Sequence, residues 1–448
     1  MATKEMAANE FRHIVETYIR QFLHDGADLR LIGTPSDKRI SVNKHIIVEN
    51  GTIKIYPCKN APPFYLTTPT SVSSIPRVAE ELIRELLLVS NYSYNKPGLP
   101  SIGYAERVMY GEFAYSNARF DVAYEIAICQ WLGSATLFRL LDKMKAWAQK
   151  TYEGRRMPFS FVIDSGSSAS GAEDFIRFLE SNHSAVFTDG MTSGVALDKK
   201  GCIVKYFSTH DHQNIIENGK IPLVPQRFYD FAQMCTADAS GNWLGVVSQS
   251  NGDIVIIKDK RLVFVRRNGK WAYIDAYHVY TAIKNALVDV DEETRETHAK
   301  EIYSSILDVS FSKTGGCIAI YNNASSQDVH SIIGVHDNLL CVEESTEKKK
   351  IISRLINGET FVSLDRKLRQ ELLSLDGATI IDASGKIVGV GAIIAVPSGS
   401  EEGGRTAATK ILALYGLSIK ISMDGKISGY IQDVATGAGN VSKAFELL

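Results

Sequence analysis

Residues 375–382 read Leu375-Asp376-Gly377-Ala378-Thr379-Ile380-Ile381-Asp382, and residues 403–408 read Gly403-Gly404-Arg405-Thr406-Ala407-Ala408. The first stretch puts a carboxylate and a glycine at the entry to an apolar run. The second is a glycine turn opening onto a helix-forming run. Asp376 is a hard oxygen donor of the kind that holds a divalent cation. A glycine turn lets backbone approach an anion, a helix N-terminus favours negative charge, and the Arg405 guanidinium offers a planar fork to phosphate oxygens. Together they predict a nucleotide-handling site in the last third of the chain. Taken singly, each is ordinary, since Asp-Gly and Gly-Gly are common turn and loop punctuation. Ser422-Met423-Asp424-Gly425 adds a hydroxyl and a second carboxylate that would suit a metal and phosphate shell, although Asp-Gly there also suits a hairpin turn.

Working outward, the spacing predicts helices over 296–309, 348–356, 366–373 and 405–415. Between them it predicts strands over 316–321, 331–335, 378–382, 387–396, 417–422 and 426–431. This alternation argues for an α/β fold, with a mixed central sheet flanked by helices over 296–448. Upstream, helices are expected over 8–24, 76–89, 135–151, 172–180 and 277–288. Strands are expected over 41–48, 52–56, 158–163, 186–187, 193–197 and 202–207, and 58–71 reads as loop. The strands expected over 253–258, 261–265 and 270–274 are joined by tight turns and read as antiparallel. The region 1–288 is therefore α+β, with a break near 155 that would divide it into two subdomains. The acidic stretch 289–295, without apolar periodicity, reads as the linker. The tail after Asp433 reads as loose up to Ser442–Leu448. No internal repeat is visible.

The chain has 448 residues, 45% hydrophobic and 22% charged, with a net charge of −2. That composition supports several cores and gives no broad basic field, so nucleic acid is not an expected partner. Cys58, Cys129, Cys202, Cys235, Cys317 and Cys341 lack metal-ligand spacing and read as reduced thiols. The N-terminal stretch has no signal-type apolar core, and no apolar run approaches the ~20 residues of a bilayer span. The expectation is a soluble, cytoplasmic protein without a membrane partner.

The order of strand, Asp376-Gly377-Ala378, strand, glycine–arginine turn, alanine-rich helix and strand ending in Ser422 resembles the catalytic core of the diadenylate cyclase family, which includes the DNA-integrity-scanning proteins. The resemblance covers roughly 295–448 and reaches upstream to Phe311-Ser312-Lys313-Thr314-Gly315-Gly316, which looks like the turn from the family's opening helix into its first strand. It implies a cyclase that joins two ATP into cyclic di-AMP with Mg²⁺ or Mn²⁺. By resemblance, Asp376 would hold the metal and help activate a ribose 3′-hydroxyl, and Gly377 and Ala378 would face ribose and phosphate. Ile394 would pack on adenine. Gly403, Gly404, Arg405 and Thr406 would take the triphosphate, with Ser422 and Asp424 completing the phosphate and metal shell. Because each family domain holds one ATP, two must face each other, which implies a homo-oligomer. The family's Arg-His-Arg is here Gly404-Arg405-Thr406 or Arg405-Thr406-Ala407, depending on alignment, and Lys420 is a further cation that could compensate. The alternatives are a silent nucleotide-binding domain of this type and an enzyme of the same fold with another product.

The region before 289 offers less. Ser165–Gly171 before a helix would suit an anion, and His210-Asp211-His212 has metal-like spacing, but both also read as polar loops. Family chains often place a regulatory module ahead of the cyclase, so this region is expected to be sensor-like, with a ligand the sequence does not name.

Overall fold

Phe159–Asp164 and Gly316–Tyr321 are buried at every position. A strand shielded on both faces belongs in the middle of a sheet covered on both sides. The computed structural model places each of them centrally in a large mixed sheet. It describes residues 118–169, 174–181, 184, 187–209, 222–235, 237–238, 241–321, 331–341, 346–395, 403–433 and 439–448, together with short helical and strand segments between 15 and 86. The chain forms two compact units, Met1–Pro222 with Phe228–Asp275, and Leu223–Arg227 with Ala276–Leu448.

In the C-terminal unit, helices α5 (Ala276–Ala286) and α6 (Glu292–Ser312) lead into β15 (Gly316–Tyr321). Helices α7 (Glu347–Ile356) and α8 (Arg366–Ser374) precede β16 (Ala378–Asp382) and β17 (Ile387–Ala392). Helix α9 (Gly404–Ala413) precedes β18 (Gly416–Ile421), β19 (Ile427–Gln432) and β20 (Val441–Leu447). The sheet order is β17-β16-β15-β18-β19-β20. β15 pairs parallel with β16, and every other pair is antiparallel. The core cluster on one face includes Cys317, Ala319, Tyr321, Ala378, Ile380, Val388 and Leu412.

In the N-terminal unit, α1 (Ala118–Leu132) and α2 (Ala135–Trp147) precede β7 (Phe159–Asp164), α3 (Phe175–Glu180), β8 (Ser193–Leu197) and β9 (Ile203–Ser208). After α4 (Tyr229–Met234) come β11 (Gly241–Ser248), β12 (Ile254–Lys258), β13 (Arg261–Arg267) and β14 (Lys270–Tyr273). The order is β14-β13-β12-β11-β7-β8-β9, with a short β10 (Ala237–Asp238) on β11. β7 and β8 are parallel and the rest antiparallel. A separate four-stranded sheet, β1 (Arg30–Gly33), β4 (Phe64–Thr67), β3 (Thr52–Ile55) and β2 (Ile46–Glu49) in spatial order, belongs to the same unit, as does the short hairpin of β5 (Thr151–Tyr152) and β6 (Arg155–Arg156). Ile53 and Ile55 from it join Val15, Phe22, Tyr124, Phe159 and Trp271 in one core.

Several expectations are corrected. The units divide at Asp275/Ala276, so α5 belongs with the C-terminal unit. The acidic stretch is a helix start rather than a free tether: Asp291 caps α6 by accepting from Thr294 N at 3.0 Å, and Glu292 and Glu296 pair with Lys284 of α5 at 2.5 and 3.3 Å. Hydrogen bonds from Tyr280, Lys300 and Lys284 hold the Glu296 carboxyl down to about 2. Phe64–Thr67 is a strand, not loop. Residues 331–335 form no strand beyond a bridge from Ile333 to Ile394. The final segment, Val441–Leu447, is a full strand on β19, while 434–438 of the stretch read as loose lie outside the described residues. His210-Asp211-His212 lies outside the described residues.

One buried ion pair fixes Leu223–Arg227 to the C-terminal unit. Asp308 accepts from Arg366 Nε at 2.7 Å and Nη2 at 3.1 Å, and from Gln226 N at 2.5 Å, while Arg366 Nη2 also donates to Val224 O at 2.8 Å. Removing one partner of such a pair strands the other charge. Asp308→Ala should therefore destabilise the C-terminal unit by about 3–5 kcal/mol, read as a lower urea midpoint for that transition; an unchanged midpoint would show the pair to be dispensable.

Candidate functional site

The register of the C-terminal sheet decides which segments meet. Ile318 lies opposite Thr379 in the parallel pair, and Gly316 opposite Ile421 in the antiparallel one. Ala378 lies opposite Ala392, and Ile421 opposite Ile427. Hence Gly315, Asp376-Gly377, the segment after Ala392 and the Ser422–Lys426 turn all lie at one edge. The approach to β15 is set by backbone conformation: Lys313 and Gly315 have φ of +56° and +70°.

Gly377 has φ +96°, and a Cβ there would lie 2.5 Å from the carbonyl carbon of Gly391 and 2.7 Å from Ala392 O. Only glycine allows this backbone contact. Gly391 is also left-handed, at φ +59°, and a Cβ on it would meet Asp376 O at 3.0 Å. The segment behind Asp376 is clamped by Lys348, whose Nζ donates to Gly391 O at 2.6 Å and to Asp337 Oδ1 at 2.7 Å. Asp337 Oδ2 in turn accepts from Ile393 N at 3.0 Å. The Asp376 side chain itself is 94% exposed. Its Oδ1 accepts from Gly377 N at 3.1 Å.

Helix α9 brings its N-terminus to this edge. Gly403 is the N-cap and makes no side-chain cap, and a Cβ on Gly403 or Gly404 would meet nothing within 4 Å. Arg405 reaches Asp376 Oδ1 with Nη2 at 3.7 Å, and a Cβ on Gly315 would come within 2.5 Å of its Nη1. That same Cβ would lie 3.2 Å from Met423 Cγ, so the residue between Ser422 and Asp424 is at the same place. Thr406 Oγ1 accepts from Lys420 Nζ at 2.6 Å. Lys420 therefore brings a second cation to the first turn of α9. Beneath it, Cys317 Sγ lies 3.5 Å from Thr409 Oγ1. Burial pushes the Cys317 thiol up, and Arg405 and Lys420 offset this only in part.

Of the expected residues, Asp376, Gly377, Ala378, Arg405 and Thr406 come together, with Gly403 and Gly404 lining open space. Ser422 closes the hairpin turn, its N donating to Lys426 O at 2.8 Å, and Asp424 Oδ1 accepts from Lys426 N at 3.1 Å. Ile394 is 6% exposed within the core, whereas its neighbour Ile393 is 61% exposed. The Lys348–Asp337 clamp carries no sequence signal, because its partners are distant in the chain. For a divalent ion, Asp376 is an accessible hard donor, and Mg²⁺ commonly takes one or two carboxylates with the rest of its shell from phosphates and water. Among the described residues no three metal-ligating side chains cluster.

No family model and no curated protein matches the chain. Among solved structures it is similar to a hypothetical membrane spanning protein from Bacillus cereus, with 18% identity over 32% of this chain and a TM-score of 0.23. It spans 62% of that protein's length. It is also similar to a double mutant of DacA from Staphylococcus aureus, with 14% identity, 34% of this chain, 89% of the other and a TM-score of 0.23. Likenesses of that strength assign no activity. No helix among the described residues is long and apolar enough to cross a membrane.

The Gly377–Gly391 contact makes a direct test of the site's framework. Gly377→Ala adds both left-handed strain and a backbone clash, so it should cost on the order of 1–3 kcal/mol or more, read by thermal unfolding. Wild-type stability in that variant would mean the two backbones do not touch.

Proposed function

We propose that the C-terminal unit is a metal-dependent diadenylate cyclase that joins two ATP into cyclic di-AMP and releases pyrophosphate. The observation that carries the reading is the convergence of Asp376 and Arg405, 3.7 Å apart, at a sheet edge that also receives Lys420 through Thr406. A carboxylate for a cation beside two cations for phosphate is the charge pattern that phosphoryl-type transfer requires.

In this reading Mg²⁺ or Mn²⁺ held by Asp376 and the substrate phosphates supplies neutralisation of the charge on the reacting oxygens. Arg405 exchanges its long pairing with Asp376 for triphosphate oxygens, which it binds as a fork. Lys420 adds a point charge at the first turn of α9, whose N–H groups lack intrahelical partners. The Gly377–Gly391 contact and the Lys348 clamp fix the backbone that carries Asp376. The 3′-oxygen of each ATP in turn bonds to the α-phosphorus of the other, the bond to the pyrophosphate oxygen breaks each time, and each hydroxyl proton leaves toward an Asp376 or water, so two bonds form and two pyrophosphates depart. One cradle per chain takes one ATP, so two chains must present their edges to each other in a homo-oligomer. The exposed Ile393 is the apolar side chain best placed to meet a base. A second reading, nucleotide binding without turnover, is favoured by the single guanidinium of the Gly403-Gly404-Arg405 turn.

Asp376→Asn should abolish nearly all pyrophosphate release while leaving binding of a non-reactive ATP analogue in place, because a neutral amide is a poor ligand for a hard cation. Retained turnover with an unchanged metal requirement would remove Asp376 from the site, and a wild-type chain that binds ATP without releasing pyrophosphate would favour the second reading.

Binding should divide between the two cations. Arg405→Ala is expected to weaken ATP binding by about 1.5–3 kcal/mol, the scale of a charged hydrogen bond, and Lys420→Met by roughly tenfold, or about 1.4 kcal/mol. Calorimetric titration reads both, and unchanged affinity in both variants would place the phosphates elsewhere.

A further inference from the structure

Six strands of the large N-terminal sheet repeat the C-terminal sheet, and β10 and β14 are additions to it. Strands β9, β8, β7, β11, β12 and β13 stand in the order and directions of β17, β16, β15, β18, β19 and β20. The correspondence reaches individual bonds. Register shifts fall between Ala196 and Leu197 in one unit and between Ile380 and Ile381 in the other, while a further shift between Ala378 and Ile380 is found in the C-terminal pair without a counterpart. Others fall between Ile256 and Ile257 and between Gly429 and Tyr430.

The turn after each second strand is the same clip. Asp198 Oδ1 accepts from Lys200 N at 2.9 Å and Cys202 N at 3.0 Å, and Asp382 Oδ1 from Ser384 N at 2.9 Å and Lys386 N at 3.0 Å. Gly201 and Gly385 sit in these turns at φ +85° and +88°. Each turn receives a buried phenylalanine amide, Phe175 N on Gly201 O at 3.2 Å and Phe361 N on Gly385 O at 2.9 Å. The hairpin turns also match: Gln249 N bonds Asp253 O and Ser422 N bonds Lys426 O, both at 2.8 Å. Asn251 and Asp424 cap them alike.

The two sheets part company at the edge that forms the candidate site. The shared register puts Thr192-Ser193-Gly194 where the C-terminal unit has Asp376-Gly377-Ala378. Pro158 stands for Gly315, Val247 for Lys420, Asn251 for Asp424 and, opposite Gly194 and Ala378, Phe207 for Ala392. The metal carboxylate and the lysine are thus both replaced by uncharged groups.

The N-terminal edge is also closed on itself. Asp189 Oδ1 accepts from Met191 N, Thr192 N and Ser193 N at 2.9, 2.7 and 3.1 Å, and its Oδ2 from Thr192 Oγ1 at 2.5 Å. Ser160 Oγ donates to Ser193 O at 2.5 Å, and Thr209 N to Thr192 O at 2.7 Å. A Cβ on Gly190 would lie 2.8 Å from Pro158 Cβ, and one on Gly194 would lie 2.5 Å from the Phe207 ring. Among the described residues it is Gly190, rather than an arginine, that lies over Pro158.

We infer that residues 159–273 are a second copy of the C-terminal fold whose site edge is sealed by its own hydrogen bonds. This copy takes no metal–triphosphate, and the chain binds one nucleotide, in the C-terminal copy. The identity of the ligand rests on the functional reading above; the closed copy does not.

Two measurements on the full chain separate them. Equilibrium dialysis with a non-reactive ATP analogue and Mn²⁺ should give one equivalent bound per chain, with affinity lowered about a hundredfold or more in the Arg405→Ala, Lys420→Met double variant. Hydrogen exchange should show the amides of Met191, Thr192 and Ser193 protected, and unchanged when the analogue is added. A second equivalent that survives the double substitution, or analogue-dependent exchange at 191–193, would overturn the inference, as would rapid exchange of these amides in the ligand-free chain. A wild-type chain that binds no analogue would overturn the nucleotide reading, while slow exchange at 191–193 would still support the closed copy.

Discussion

The parallel pairing of β15 with β16 is the constraint on which the C-terminal unit depends. Two parallel neighbours enter a sheet from the same edge, so the turn before each strand arrives at the same place. Gly315 and Asp376-Gly377 are brought together for this reason, although α7 and α8 lie between them in the chain. The antiparallel neighbours then end where the parallel pair begins, which adds the segment after β17 and the turn after β18. Catalytic-type side chains thus gather without being adjacent in sequence. The same pairing of β7 with β8 builds an equivalent edge in the N-terminal unit, where the residues delivered are hydroxyls, a proline and a phenylalanine ring. One topology yields a charged, open edge in one case and a closed one in the other, so the distinction lies in the side chains rather than the fold.

Charge balance at the open edge follows from its contents. Asp376 is almost fully exposed and pairs with Arg405 only at 3.7 Å. A contact that long, with one partner almost fully exposed, contributes little to stability. It leaves both groups available to ligands of opposite charge. Rigidity comes instead from uncharged backbone contacts at Gly377 and Gly391 and from the Lys348–Asp337 clamp behind them.

Much of this was legible in the sequence. The runs 378–382 and 417–422 read as strands, and β16 and β18 form there within a residue, while the α/β class follows from alternation. The glycine–arginine turn was placed at a helix start, as observed. What escaped has physical reasons. β11 was overlooked because Gly241, Asn242 and Gly245 interrupt its apolar pattern; a Cβ on Gly245 would lie 2.5 Å from the Phe231 ring, so glycine is required there by packing. The strand Phe64–Thr67 was hidden by Pro62-Pro63 just before it. Ser331–Val335 has strand composition but only one bridge partner. The repeat was invisible because the shared features are hydrogen bonds and register shifts. As letters, little matches beyond Asp198-x-x-Gly201-x-Ile203-Val204 with Asp382-x-x-Gly385-x-Ile387-Val388 and Gly252-x-Ile254 with Gly425-x-Ile427. The contact of Lys420 with Thr406 depends on the packing of α9 against β18, which no local pattern encodes.

We propose that the edge carrying Asp376 and Arg405 performs nucleotidyl transfer. Incubating the purified chain with ATP and Mn²⁺ and analysing the products by mass spectrometry tests this most directly. The expected products are cyclic di-AMP and pyrophosphate, with the yield per chain rising with protein concentration until the paired form is saturated. Intact ATP as the only nucleotide recovered, across metals and protein concentrations and from a chain shown to bind it, would contradict the claim.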